Sequence, residues 1–180
     1  MKLVPLSLAV GCLSSLLLLS GCGGGESSGN GGSSGTGGAG GTTTTTTAAP
    51  GSVSMAFSVS NGVKQSPNLM DPLKGTIYGS LYKQEDVTVT GPIDGAMEVA
   101  SVQVADVDLT SADVSAATWS GKDIPEGSYT FLGFYDLDGN GGMTFEPDAG
   151  DPVTLPSANK FDVTSGQETT LTATFDILYN

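Results

Sequence analysis

From residue 52 onward, hydrophobic and polar residues alternate with a period of two, the pattern of half-buried β-strands. Val53, Met55, Phe57 and Val59 alternate with serines and an alanine, and Ile77, Gly79 and Leu81 alternate with Thr76, Tyr78, Ser80 and Tyr82. Val87 to Thr90 predicts a short strand closed by Gly91-Pro92. Between Met97 and Leu109 the apolar positions run odd, then even at Val102 and Val104, then odd again. That switch predicts either one strand with a β-bulge or two strands. Ser128 to Tyr135 is apolar on both faces, as a central strand of a sandwich is. Thr169 to Tyr179 predicts Leu171, Ala173, Phe175 and Ile177 inward and Thr170, Thr172, Thr174 and Asp176 outward. Turn signals at Asn61-Gly62, Asp94-Gly95, Pro125-Glu126-Gly127, Asp138-Gly139 and Ser165-Gly166 separate the runs. Residues 111–118 predict one short helix. The pattern as a whole predicts an all-β domain over residues 52–180, an antiparallel β-sandwich of about seven strands. A membrane β-barrel is disfavoured, because no aromatic girdles are visible.

The N-terminal part departs from this pattern. Leu3 to Leu19 is an almost unbroken apolar run behind Met1-Lys2, and it ends in Leu19-Ser20-Gly21-Cys22. Its length suits a transmembrane helix, but glycines follow it rather than basic stop-transfer residues. The LSGC sequence resembles a bacterial lipobox. That resemblance implies a signal peptide over residues 1–21, cleavage before Cys22 and a diacylglyceryl thioether on its sulfur; a plain secretory signal cut near Gly21 is the alternative. Each buried CH₂ contributes roughly 0.8 kcal/mol, so two or more acyl chains anchor stably. Gly23 after the cysteine resembles outer-membrane lipoproteins, which implies the outer rather than the inner membrane of a bacterial cell envelope. Residues 22–51 are mostly glycine, serine and threonine with almost no apolar side chain. No core offsets the ordering entropy of such a stretch, so it predicts a flexible tether reaching on the order of 30 Å.

Composition removes whole classes of function. The chain carries six lysines, no arginine and no histidine against 19 acids, for a net charge of −13. Nucleic acid, whose phosphates demand a basic face, is excluded as a partner. Without histidine there is no Ser-His-Asp or Cys-His machinery and no histidine zinc site. The only cysteines, Cys12 and Cys22, lie ahead of the domain, which therefore has no disulfide framework. Paired carboxylates, Lys, Ser or Tyr remain for catalysis, but no cleft is legible around them, and the expectation is a protein that is not an enzyme.

The candidate chemistry lies between Phe134 and Pro152. Asp136, Asp138, Glu146, Asp148 and Asp151 crowd this stretch, and no basic residue accompanies them. Neighbouring carboxylates repel unless water or a cation compensates them. Asp136-x-Asp138-x-Asn140-Gly141 is similar to the opening of an EF-hand calcium loop. That similarity implies side-chain oxygens from Asp136, Asp138 and Asn140, a sharp turn at Gly141, a backbone carbonyl from Gly142 and a side chain or bridging water at Thr144. The closing glutamate of that pattern is replaced by Pro147, so Glu146, Asp148 or Asp151 would close the shell by another path. A Ca²⁺-stabilised loop is thus predicted, with a solvated polar hairpin as the alternative.

The run IPEGSYTFLGFYDLDGNG followed by PDAGDP, with a strand after VTSGQ and an early strand at Lys74 to Ile77, resembles bacterial lipoproteins with a prealbumin-like (transthyretin-like, carboxypeptidase regulatory-like) sandwich. The resemblance covers roughly residues 73–178 and implies the fold; it assigns no activity. Other candidates are weaker. Asp106, Asp108 and Asp113 form a second acidic group, and Trp119, Tyr129 and Tyr135 are candidate aromatics for stacking a sugar. The expected role is a membrane-anchored, non-catalytic surface or periplasmic module that binds a protein or polysaccharide partner or supports an envelope assembly. The alternative is a carbohydrate-binding module using exposed aromatics.

Overall fold

A computed structural model describes residues 48–180; the predicted signal peptide, Cys22 and the tether up to residue 47 lie outside the described residues. In chain order the strands are β1 (Gly51–Val59), β2 (Lys74–Lys83), β3 (Val87–Thr88), β4 (Gly91–Pro92), β5 (Glu98–Asp108), β6 (Trp119–Ile124), β7 (Gly127–Asp136), β8 (Pro152–Val153), β9 (Lys160–Val163), β10 (Glu168–Phe175) and β11 (Ile177–Leu178). Single helical turns, α1 (Asn61–Lys64) and α2 (Gly141–Thr144), interrupt them. Seven of the described strands have four residues or more, and they build the predicted all-β sandwich.

One sheet runs β10-β1-β6. The other runs β11-β8-β7-β2-β5, with β9 pairing the start of β7. Every pair is antiparallel except β1 with β10, which run parallel from Ser52 beside Glu168 to Val59 beside Phe175. A parallel pair needs a long crossover, and the rest of the domain supplies it here. The β3–β4 hairpin stands apart as its own two-stranded ribbon.

The alternation in the sequence maps directly onto burial. Val53, Met55, Phe57 and Val59 are buried from β1, facing Ile77 and Leu81 of β2 and Tyr129, Phe131 and Tyr135 of β7. Phe175 sits at the centre, its ring 6.3 Å from Phe57, 6.5 Å from Phe131 and 5.9 Å from Tyr135. Aromatic pairs at such separations gain from edge and offset contacts beyond simple burial. The Tyr135 hydroxyl donates to the Val107 carbonyl at 2.8 Å and the Tyr129 hydroxyl to the Pro125 carbonyl at 2.7 Å, so neither polar tip is buried without a partner.

The two register switches in β5 are two bulges in one strand. At the first, Leu81 pairs with Ala100 and Tyr82 with Glu98, leaving Val99 extra. At the second, Gly75 pairs with Val107 and Ile77 with Val104, so two residues oppose one, and Asp106 takes a left-handed φ of 56° there.

Two expectations are corrected. Residues 111–118 form no helix: Ser115 lies against Phe57, its N–H bonding the Phe57 carbonyl and its Oγ accepting the Phe57 N–H. Satisfying that edge of β1 outweighs a marginal local helix preference. Ile177 is not inward but 47% exposed, because the chain leaves β10 at Asp176 and crosses to pair β8 in the other sheet.

Phe175→Ala removes the ring common to three aromatic contacts and is expected to cost about 3–5 kcal/mol. Urea unfolding of the full-length protein, followed by circular dichroism, measures it.

Candidate functional site

Strand β7 delivers the first acid. Its odd positions face the core, so Leu132, Phe134 and Asp136 lie on the opposite, outer face of the large sheet. Asp136 is nonetheless buried, because the loop that follows folds back over it. Its Oδ1 accepts the Gly139 N–H at 2.8 Å and its Oδ2 accepts the Gly141 N–H at 3.1 Å. Gly139 holds a φ of +84°, a conformation that favours glycine. Gly141 is required by closeness: a Cβ there would stand 2.6 Å from the Phe134 ring and 3.1 Å from the Asp136 carboxyl carbon.

The return half of the loop is tied in the same way. Asp151, also buried, accepts the Leu137 N–H on Oδ1 and the Asp148 N–H on Oδ2, both at 3.2 Å. Its backbone carbonyl takes the Tyr179 N–H at 2.8 Å, and the Gly150 N–H donates to the Tyr179 carbonyl at 2.9 Å, fastening the loop to the C-terminal segment. Outside this pair, the Asn140 side-chain amide donates to Asp138 at 2.8 Å and to Asp148, so those two carboxylates converge on one atom.

The structure therefore gathers five of the seven candidate ligands, Asp136, Asp138, Asn140, Asp148 and Asp151, around two backbone-capped carboxylates and one shared amide. Glu146 and Gly142 are exposed and stand outside that network; Gly142 lies instead beside the Tyr78 hydroxyl. Among the described residues, no three acidic side chains stand close enough to hold one ion. Their oxygens are turned onto N–H donors of the loop itself.

The electrostatics are one-sided. Burial drives the Asp151 carboxyl up from its ordinary 3.8 to about 6; the N–H donors of Asp148 and Leu137 oppose that rise, and the neighbouring charges of Asp148 and Asp136 add to it. The ion pairs among the described residues lie elsewhere, Lys64 with Asp113 at 3.0 Å, Lys74 with Asp108 at 2.8 Å and Lys83 with Glu85 at 3.8 Å. The second acidic group is thereby dispersed. Asp108, held down to about 2 chiefly by its bond to Lys74, and Asp113 answer different lysines, while Asp106 sits on the second bulge.

The three aromatics singled out for sugar stacking form no exposed platform. Tyr129 and Tyr135 are core residues and Trp119 is half-buried over Gly121. The outer face of the large sheet carries the aromatics instead. Tyr78 stacks on Phe134 with ring centres 5.5 Å apart, and Phe145, 67% exposed, meets Tyr78 edge-on at 5.7 Å. With Tyr82 they line a solvent-open groove of about 790 Å³. Tyr78 and Tyr82 were visible in the sequence on the polar register of β2. What brings Phe145 onto them, a left-handed turn with φ 56° after α2, was not.

The raised pKa sets the sign of a pH effect in metal-free buffer. The folded state holds the Asp151 proton more tightly than the unfolded chain does. That contribution to stability is complete below about pH 4 and is lost as pH rises through 6. Thermal melts of the full-length protein across this window are expected to show a falling contribution that Asp151→Asn abolishes. Compared with known proteins, the chain matches no family model, no curated protein and no solved structure.

Proposed function

We propose that the chain is a lipid-anchored, non-catalytic binding module of a bacterial cell envelope, displayed on its tether and stabilised by Ca²⁺ in the loop between β7 and β8. The observation that carries the reading is the acidic loop. Two buried carboxylates, Asp136 and Asp151, lie under two more, Asp138 and Asp148, with no lysine paired to any of them among the described residues. A divalent ion relieves that repulsion more effectively than water does. The available donors are all oxygens, which suit a hard cation such as Ca²⁺ rather than zinc or copper.

No three of the acids converge as they stand, so Asp136, Asp138, Asn140, Asp148 and Asp151 would hold the ion only after the loop draws their oxygens together. A half-turn of the Asn140 amide presents Oδ1 to the point where Asp138 and Asp148 meet. Glu146 and the Gly142 carbonyl, exposed in the same loop, complete the set. The carboxylates' remaining lone pairs are available for this while their bonds to the loop N–H groups persist. The ion's role is structural: it supplies charge, and the loop supplies shape.

The likeness of the β7 strand and its loop to prealbumin-like lipoproteins supports the same reading, as does the LSGC context of Cys22. The charge of −13 also suits an exported surface protein that does not engage nucleic acid.

Two measurements test the two halves. Calorimetric titration of the full-length protein in detergent is expected to give Ca²⁺ heat with a dissociation constant of roughly 10⁻⁴–10⁻³ M, and a higher melting temperature at millimolar Ca²⁺. Asp136→Asn is expected to remove both, and absence of heat and shift in the unmutated protein refutes the ion. Cys22→Ser is expected to abolish metabolic labelling with radioactive palmitate and to release the protein from the membrane fraction.

A further inference from the structure

We propose that the groove on the outer face of the large sheet is a binding site for an uncharged glycan chain. The inference rests on reading the protein as a non-catalytic binding module, but not on the ion. In a two-layer sandwich the outer face of a sheet needs no apolar cover, and it is ordinarily polar. Here it carries Leu132, Phe134, Tyr78 and Tyr82 on neighbouring strands, in a depression of about 790 Å³, within the size range of ligand sites.

The chemistry of the occupant follows from how that surface is graded. On the β7 and β8 side the lining is aromatic and aliphatic. On the β5 side it becomes Ser101, Gln103 and Glu98, the last accepting the Ser80 hydroxyl at 2.7 Å. The cross-strand register places Gln103 beside Tyr78 and Ser101 beside Ser80, so polar groups border the rings along the length of the groove. A ligand lying there meets aromatic and aliphatic side chains below, hydrogen-bonding side chains along one edge and water above. A wholly apolar ligand would leave its upper side exposed to water. A sugar ring has an apolar face and a rim of hydroxyls, and it satisfies all three surroundings at once.

Charge narrows the class further. No lysine lines the groove, Glu98 is its one charged residue, and the acidic loop adjoins the end where Phe145 sits. A polyanion is repelled from such a surface. An extended peptide gains less on the floor, because β2 and β7 are each paired on both sides; a free edge of the sheet, β5, lies at the polar border of the groove.

The experiment is titration of the full-length protein in detergent with a panel of uncharged hexasaccharides (cellohexaose, chitohexaose, mannohexaose, laminarihexaose). A polyproline peptide, N-phenyl-naphthylamine and polygalacturonate serve as contrasting probes. Binding of at least one neutral hexasaccharide is expected, weakened roughly tenfold by Tyr82→Ala and measurably by Gln103→Ala, in variants whose melting temperatures show that they fold. The inference is overturned if no hexasaccharide binds at millimolar concentration, if the two folded variants bind as well as the parent, or if only the peptide, the naphthylamine or the polyanion binds. Running each titration with Ca²⁺ and with chelator separates the readings. Ca²⁺ heat without glycan binding sinks this inference alone, and glycan binding without Ca²⁺ heat sinks only the ion.

Discussion

The constraint on which the rest depends is the two-residue repeat of β7, the strand shared by everything important in the domain. Tyr129, Phe131 and Tyr135 point one way and join Phe57 and Phe175 in the core. Leu132, Phe134 and Asp136 point the other way, where two of them make the groove and the third begins the acidic loop. A slip of one residue in its pairing with β2 would exchange these sets, putting a carboxylate into the core and the core rings into water. The aromatic core therefore fixes the register, and the register fixes where the site stands.

The acidic loop shows how a chain keeps carboxylates together without basic partners. Asp136 and Asp151 each bind two backbone N–H groups, which satisfies their oxygens and at the same time defines the turns. Such charge-assisted bonds are roughly twice as strong as neutral ones. They do not cancel the charge, and burial leaves Asp151 leaning towards its protonated form. The loop is thus ordered by its own N–H groups, with Asp136 and Asp151 buried and Asp138 and Glu146 exposed to solvent.

Much of this was legible in the residues, and what was not has identifiable causes. Periodicity located the strands because burial on one face is a local property of each strand. The odd-even-odd switch around Val102 and Val104 marked an irregularity for the same reason, but left one bulged strand and two strands equally open. The parallel partnership of β1 with β10 is a long-range choice that no local pattern records. Ile177 continues the alternation of β10 faithfully, yet it is exposed, because periodicity does not reveal that the chain changes sheets at Asp176. At the site, the crowding of acids was plain, but Tyr78 and Tyr82 looked like ordinary solvent-side residues of β2. Only the fold shows that a ring from a distant loop covers one of them.

That covering ring ties the two features of the outer face together. Phe145 follows α2 in a left-handed backbone conformation, which costs a non-glycine residue of order 1–3 kcal/mol and persists only where its surroundings impose it. Its edge contact with Tyr78 and the closeness of Gly142 to the Tyr78 hydroxyl are the contacts through which α2 rests on the groove. Both residues lie between Asn140 and Asp148, so the carboxylates that close the loop also hold the groove's end wall in place. A shift of the loop carboxylates would thereby also shift the aromatic surface beside them. The acids and the rings form one structural unit, although Tyr78 and Tyr82 come from a separate stretch of sequence.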